Sequence, residues 1–159
     1  MSAAPQPTNL AATVRDRAKS RGSAIAFEFE GRQTTFAEFD VRTNHVANAL
    51  IAMGVSKGER IAYLGKNSDF YFELLMGAMK AGVVMAPVNW RLAGPEVAFI
   101  VDDCKAPVLF VGPEFITQVD EAERLFAKIR RFGDRAMADL PDHGALIRQI
   151  NATAVRSAA

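Results

Sequence analysis

The side chains able to do chemistry are few and scattered. Gly65-Lys66-Asn67-Ser68 lies between an apolar run and a helical pattern, where backbone N–H groups at a helix start could hold an anion. It has neither the G-x-G-x-x-G spacing of dinucleotide sites nor the G-x-x-x-x-G-K-[ST] phosphate loop, so it reads as a capped turn. His45 falls inside a helical stretch and His143 in a late irregular one, and neither has a partner at metal-ligand spacing. A metal needs three or four convergent ligands, so no metal site is expected. Cys104 has no nearby histidine to activate it and reads as a structural thiol. Asp102 and Asp103 are adjacent, and neighbours along a helix do not face one another, so they do not act as a pair on one atom. No G-x-S-x-G elbow supplies a hydrolytic nucleophile. The phenylalanines fall at core spacings rather than as a platform for bases.

Trp90-Arg91 stands apart. The pair follows the apolar run Val83-Val84-Met85-Ala86-Pro87-Val88. In open α/β sheets, ligands bind beyond the carboxyl ends of such strands. Arg91 offers a planar fork suited to phosphate. The plainer alternative is a tryptophan covering the sheet edge and an arginine paired with Glu96.

The elements that must position these residues centre on Arg60 to Asn89. Arg60-Ile61-Ala62-Tyr63-Leu64 and Val83 to Val88 bracket a helical stretch from Asp69 to Lys80 with almost no polar face. That is the pattern of a parallel strand–helix–strand unit covered on both sides. Phe70, Tyr71, Leu74, Leu75, Ala78 and Met79 surround most of the helix axis, which predicts a helix enclosed by other elements. Gly77 inside it costs about 1 kcal/mol against Ala, and is expected to let another backbone come close.

Upstream, Asn9 suits the cap of a short helix through Lys19, with Leu10, Val14 and Ala18 on one face. Ala24 to Glu30 alternates apolar and polar residues, Gly31-Arg32 turns, and Gln33-Thr34-Thr35 returns, so a hairpin is expected. Thr35-Phe36-Ala37-Glu38 is a capping box opening a helix with Phe39, Val46, Leu50 and Met53 on one stripe, closed by Gly54. Downstream, Gly94-Pro95-Glu96 opens a helix with Val97, Ile100 and Val101 inward, and Val108 to Val111 is a third strand. Glu114 to Arg131 reads as one amphipathic helix, with Lys128, Arg130 and Arg131 in its last turn. Residues 133–144 are irregular, and Ala145 to Ala154 reads as a last helix. The expected organisation is a loose arm over 1–9, an α/β domain over 10–131, and an irregular tail over 132–159 carrying a short helix. The fold class is α/β: a hairpin with a mainly parallel βαβαβ sheet and helices on both faces.

Composition narrows the partners. Lys+Arg 19 against Asp+Glu 18 is too balanced to argue for nucleic acid or an anionic membrane surface. One cysteine excludes an internal disulfide and favours a reducing compartment. The longest apolar stretch, Leu74 to Val88, is broken by Lys80, Gly82 and Pro87 and is too short to span a bilayer. A signal-peptide core is not evident either, so the cytoplasm is expected.

Taken in order, several segments resemble the opening of an acyl-CoA synthetase of the adenylate-forming (AMP-dependent synthetase and ligase) superfamily. They are Thr34 to Asp40, Ala47 to Leu50, Gly54 to Ala62, Asn67-Ser68, Gly77-Ala78, Ala81-Gly82 and Pro87-Val88-Asn89-Trp90-Arg91-Leu92. Glu96, Ile100, Asp102 and Val108 to Val111 continue the likeness, which persists weakly to Ala154. The run ending in Asn89-Trp90-Arg91-Leu92 leans toward fatty-acyl and aryl-acid ligases. The resemblance implies ATP-dependent activation of a small carboxylic acid to an acyl-adenylate, then thioester formation with coenzyme A, with Mg²⁺ as cofactor. The family's Ser/Thr/Gly-rich loop ending in Pro-Lys-Gly has no counterpart in these residues, nor has its C-terminal lysine. No catalytic residue is therefore carried over. Arg91 alone is carried over, as a contact for the phosphate end of coenzyme A.

Three functional readings follow. The chain is the N-terminal portion of such a ligase, inactive alone and prone to self-association through an open sheet edge. Alternatively, it is a stand-alone module binding coenzyme A or a nucleotide, or a regulatory protein that pairs with a synthetase through that edge.

Overall fold

Arg60–Leu64, Val84–Val88 and Val108–Val111 are apolar runs too short for buried helices, each stopped by a polar residue or glycine. The computed structural model describes residues 10–121 and 130–133, and in it these runs are β3, β4 and β5 of one parallel sheet. A further strand, β6 (Arg130–Gly133), completes the order β4-β3-β5-β6, with every pairing parallel. The arm over 1–9 with its Asn9 cap, His143 and the helix at 145–154 lie outside the described residues.

β3 lies between β4 and β5, with Ala62 opposite both Ala86 and Leu109. Its side chains alternate between two cores. Ile61 and Tyr63 share one core with Val108 and Phe110 of β5, Val46 and Leu50 of α2 (Phe36–Ala52), and Phe70 and Leu74 of α3 (Asp69–Ala81). Ala62 and Leu64 share the other with Leu109 and Val111, Val97 and Val101 of α4 (Gly94–Asp103), and Phe115 and Val119. The α/β class with helices on both faces is thus as the sequence predicts.

α2 begins as a capping box. The Thr35 hydroxyl accepts from the Glu38 backbone N–H, and the Glu38 carboxylate accepts from the Thr35 N–H at 2.8 Å and the Thr35 hydroxyl at 2.8 Å. These bonds, backbone first, hold the Glu38 carboxyl below its ordinary range, with Arg42 adding a smaller pull. The helix ends at Gly54, whose φ of 77° places it in the left-handed region, and Val55 N–H returns to Leu50 O at 3.1 Å. The expected stripe of Phe39, Val46, Leu50 and Met53 is buried throughout.

α2 and α3 pack closely because Gly77 has no side chain. A Cβ there would sit 2.4 Å from Val46 Cγ1 and 3.0 Å from the Thr43 carbonyl oxygen. Two ion pairs flank this contact. Arg42 Nη1 meets Glu73 Oε1 at 2.9 Å, and Lys80 Nζ donates to Asp40 Oδ1 at 2.6 Å and Asn44 Oδ1 at 2.8 Å. The buried Thr43 hydroxyl donates to the Phe39 carbonyl oxygen at 2.7 Å.

Five local expectations need correction. In α1 (Leu10–Arg21) the buried residues are Ala11 and Val14, while Leu10 is exposed. The hairpin of β1 (Ile25–Phe29) and β2 (Arg32–Thr35) turns at Glu30-Gly31, both at positive φ, so Arg32 belongs to the strand. That is the two-residue turn whose twist matches its strands. Arg32 then makes a two-pronged contact with Asp69, Nε to Oδ2 at 3.0 Å and Nη2 to Oδ1 at 3.2 Å, tying the hairpin to the start of α3. α3 is not enclosed all round, since Phe72 and Met79 are each 42% exposed. Of the helix expected from Glu114 to Arg131, the described residues form a 3₁₀ turn (Pro113–Phe115) and α5 (Ile116–Glu121), with Arg130 and Arg131 in β6, while residues 122–129, Lys128 among them, lie outside the described residues. For the same reason the irregular stretch does not begin at 133, because Gly133 ends that strand. Residue spacing registers an apolar helix face, but not the pull of an unpaired strand edge on a distant segment; the N–H and C=O groups on the free side of β5 need partners, and β6 supplies them.

Two outcomes test this packing. Gly77→Ala should destabilise the protein by about 1–3 kcal/mol through overpacking, although helix propensity alone favours Ala; a neutral or stabilising result in urea denaturation would refute the close approach. Thr35→Ala should cost about 1 kcal/mol. Because the Glu38 carboxyl is lowered on folding, its contribution is complete above the ordinary value of 4.5 and lost as pH falls through the lowered one. The stability gap between the native protein and Glu38→Gln should therefore shrink on acidification, and a gap constant with pH would contradict this.

Candidate functional site

Three parallel strands end side by side, and the turns beyond their carboxyl ends meet. β3 runs into Gly65-Lys66-Asn67-Ser68, β4 into Asn89-Trp90-Arg91, and β5 into Gly112-Pro113-Glu114-Phe115. A main-chain bond from Gly112 N–H to Leu64 O at 2.7 Å joins the first to the third. The Tyr63 side chain, 1% exposed, sends its hydroxyl back to donate to Lys66 O at 2.8 Å. Gly65 allows this, because a Cβ there would lie 2.5 Å from the Tyr63 hydroxyl oxygen. The next helix is capped as expected, with Ser68 Oγ accepting from Tyr71 N–H at 3.1 Å.

Trp90 is the hub where these turns meet. Its ring lies 5.7 Å from Phe115, which anchors it to the α4 side of the sheet. The Arg91 guanidinium carbon stands 4.1 Å from the indole centroid, and Lys66 Nζ stands 5.6 Å from it. Both cations gain from the electron-rich face of the ring. Lys66 Nζ also reaches Glu114 Oε1 at 3.5 Å, with both side chains more than half exposed. The turn is set by Asn89, whose Oδ1 accepts from Arg91 N–H at 3.0 Å.

The alternative pairing of Arg91 with Glu96 does not form. Glu96 Oε2 instead accepts from Ala93 N–H at 2.8 Å at the start of α4; Ala93 has no side-chain acceptor, so only this half of a capping box exists. Among the described residues Arg91 pairs with no carboxylate. Its fork is exposed and held over an aromatic face, an arrangement able to receive a phosphate. Lys66 lies in the turn that the sequence offers for an anion through its backbone N–H groups and that reads as a capped turn; its side chain is not singled out there, and Glu114 is not among the candidates. Neither side chain has a local signature beyond the strand-end position of its turn.

The other candidates stay apart from this cluster. His45 is half-buried on α2, and Asp102 and Asp103 are exposed at the end of α4. The Cys104 thiol donates to Val101 O at 3.4 Å. Among the described residues no three His, Cys, Asp or Glu side chains gather where they could hold a metal. No helix among these residues is long and apolar enough to cross a membrane.

Comparison with known proteins agrees with this architecture. The profile of the AMP-binding enzyme family matches residues 14–149. The fatty acid–acyl-carrier-protein ligase ScoC of Streptomyces coeruleorubidus is 41% identical over 111 residues, covering 70% of this chain and 21% of that protein. The indoleacetate–CoA ligase of Aromatoleum aromaticum is 39% identical over 95 residues, covering 60% of this chain and 19% of that protein. Among solved structures, the N-terminal domain of FACL13 from Mycobacterium tuberculosis superimposes with a TM-score of 0.77 at 30% identity, over 83% of this chain and 35% of that one. The chain spans about a fifth of the length of the curated relatives it matches. With its parallel sheet, its two helical layers and this match, the chain belongs to the family of AMP-binding enzymes.

Proposed function

We propose that the chain forms the N-terminal part of an acid–thiol ligase acting on a fatty or aromatic carboxylic acid. In that reaction a carboxylate attacks ATP, forming an acyl-adenylate and releasing pyrophosphate. The coenzyme A thiolate then attacks the acyl carbon and AMP leaves. Within this chain the role we assign is binding: Arg91 receives the phosphate end of coenzyme A. The observation that carries the reading is the exposed Arg91 fork, free of carboxylate partners among the described residues and held over Trp90 at the carboxyl end of β4.

By itself the chain should not turn over, because its residues include no phosphate-gripping loop of the family type. The exposed edge strand β4, with Val84 on the surface, and the exposed Phe72, Met79 and Phe99 support self-association when the chain is alone. The lone thiol of Cys104 supports the cytoplasm as its compartment.

ATP–pyrophosphate exchange with a panel of fatty and aromatic acids should be absent for the chain alone, and exchange from pure material would overturn the inactivity. Calorimetric titration with coenzyme A should give binding that Arg91→Ala weakens about tenfold, the usual scale for losing a hydrogen bond to a charged group. Binding indifferent to Arg91→Ala would remove that assignment.

A further inference from the structure

We propose that Lys66 is a second phosphate-binding cation of this site, and that Glu114 is the anion a bound phosphate displaces from it. The inference rests on the reading of Arg91 as a phosphate contact and extends it to residues on two other strand ends.

Lys66 is not carried on a loose loop. Its carbonyl is held by the buried Tyr63 hydroxyl, and the strand before it is tied to β5 through Gly112. The ammonium is thereby presented to the same indole that supports Arg91, at 5.6 Å against 4.1 Å from the centroid. Two cations from different turns thus share one aromatic support, and Lys66 alone of the two meets a carboxylate, Glu114 at 3.5 Å from its Nζ. Lys66, Arg91 and Glu114 together carry one net positive charge. A phosphomonoester carries nearly two negative charges near neutral pH, so it outcompetes a single carboxylate for the pair.

The strength of the existing contact permits the exchange. The Lys66 and Glu114 side chains are 57% and 51% exposed, so water screens their attraction and the pair holds weakly. Arg91 offers a rigid fork, whereas Lys66 offers a mobile point charge. The first fixes a phosphate in place, and the second swings from Glu114 to meet it. The ligand class is a phosphomonoester of the kind at the 3′ position of an adenosine bisphosphate.

Trp90 is the chain's one tryptophan, so its emission reports on the site directly. Titration of the full chain with adenosine 3′,5′-bisphosphate, followed by calorimetry and Trp90 emission, tests the proposal. Lys66→Met should weaken binding about fivefold, and Glu114→Gln should tighten it about threefold, the scale of exposed charge pairs. Most of the Glu114→Gln gain should vanish in the Lys66→Met background. The Lys66, Glu114 and Arg91 side chains substituted in these tests are all exposed, and circular dichroism confirms that each variant is folded. Equal affinity of native protein and Lys66→Met, or an undiminished Glu114→Gln gain in the double variant, overturns the proposal. If Arg91→Ala weakens binding while Lys66→Met does not, the Arg91 reading stands and this one falls. Wild-type binding of uncharged adenosine as tight as that of the bisphosphate, or no binding of the bisphosphate, overturns both.

Discussion

The structure depends on the burial of one strand on both faces. β3 carries Ile61, Ala62, Tyr63 and Leu64 with almost no exposure, and each faces the opposite core from its neighbour. A strand in that position has no polar face to spare, and its backbone is satisfied only by β4 and β5. Both layers of helices are therefore required at once. α2 and α3 cover Ile61 and Tyr63, while α4 and the segment after β5 cover Ala62 and Leu64.

The helical layer on the first face has its own constraint. α3 reaches α2 closely only because Gly77 leaves room for Val46 and the Thr43 carbonyl. The polar groups caught at this contact are paired, with Arg42 on Glu73 and Lys80 on Asp40 and Asn44. A buried charge without its partner costs far more than an exposed pair contributes, so these contacts fix how α3 lies on α2 more than they add stability. The position of α3 in turn sets where Ser68 begins it, and hence how the Gly65-Lys66 turn leaves β3.

The site follows from the same strand. Tyr63 is a core residue by its ring and a site residue by its hydroxyl, since the phenol that packs against Phe70 and Tyr71 also holds the Lys66 carbonyl. Parallel strands end together, so turns distant in sequence meet at one edge, and Trp90 collects Arg91, Lys66 and Phe115 around a single ring. The match to AMP-binding enzymes fits this geometry, because a shared sheet order brings strand ends distant in sequence to one edge.

Features that depend on near neighbours were legible in the residue order: the three apolar strands, the Thr35–Glu38 capping box, the left-handed Gly54, the need for a small residue at 77, and the promise of Arg91 after β4. Each is set by a spacing of a few residues, which the chain order displays directly. Contacts between residues far apart emerged only from the folded chain: that Val46 and the Thr43 carbonyl are what Gly77 admits, that Arg130 to Gly133 pair with β5, and that Lys66 and Glu114 meet beside Trp90. These contacts carry no local signature, because their partners lie on turns separated by whole strand–helix units and come together only when the sheet closes the distance.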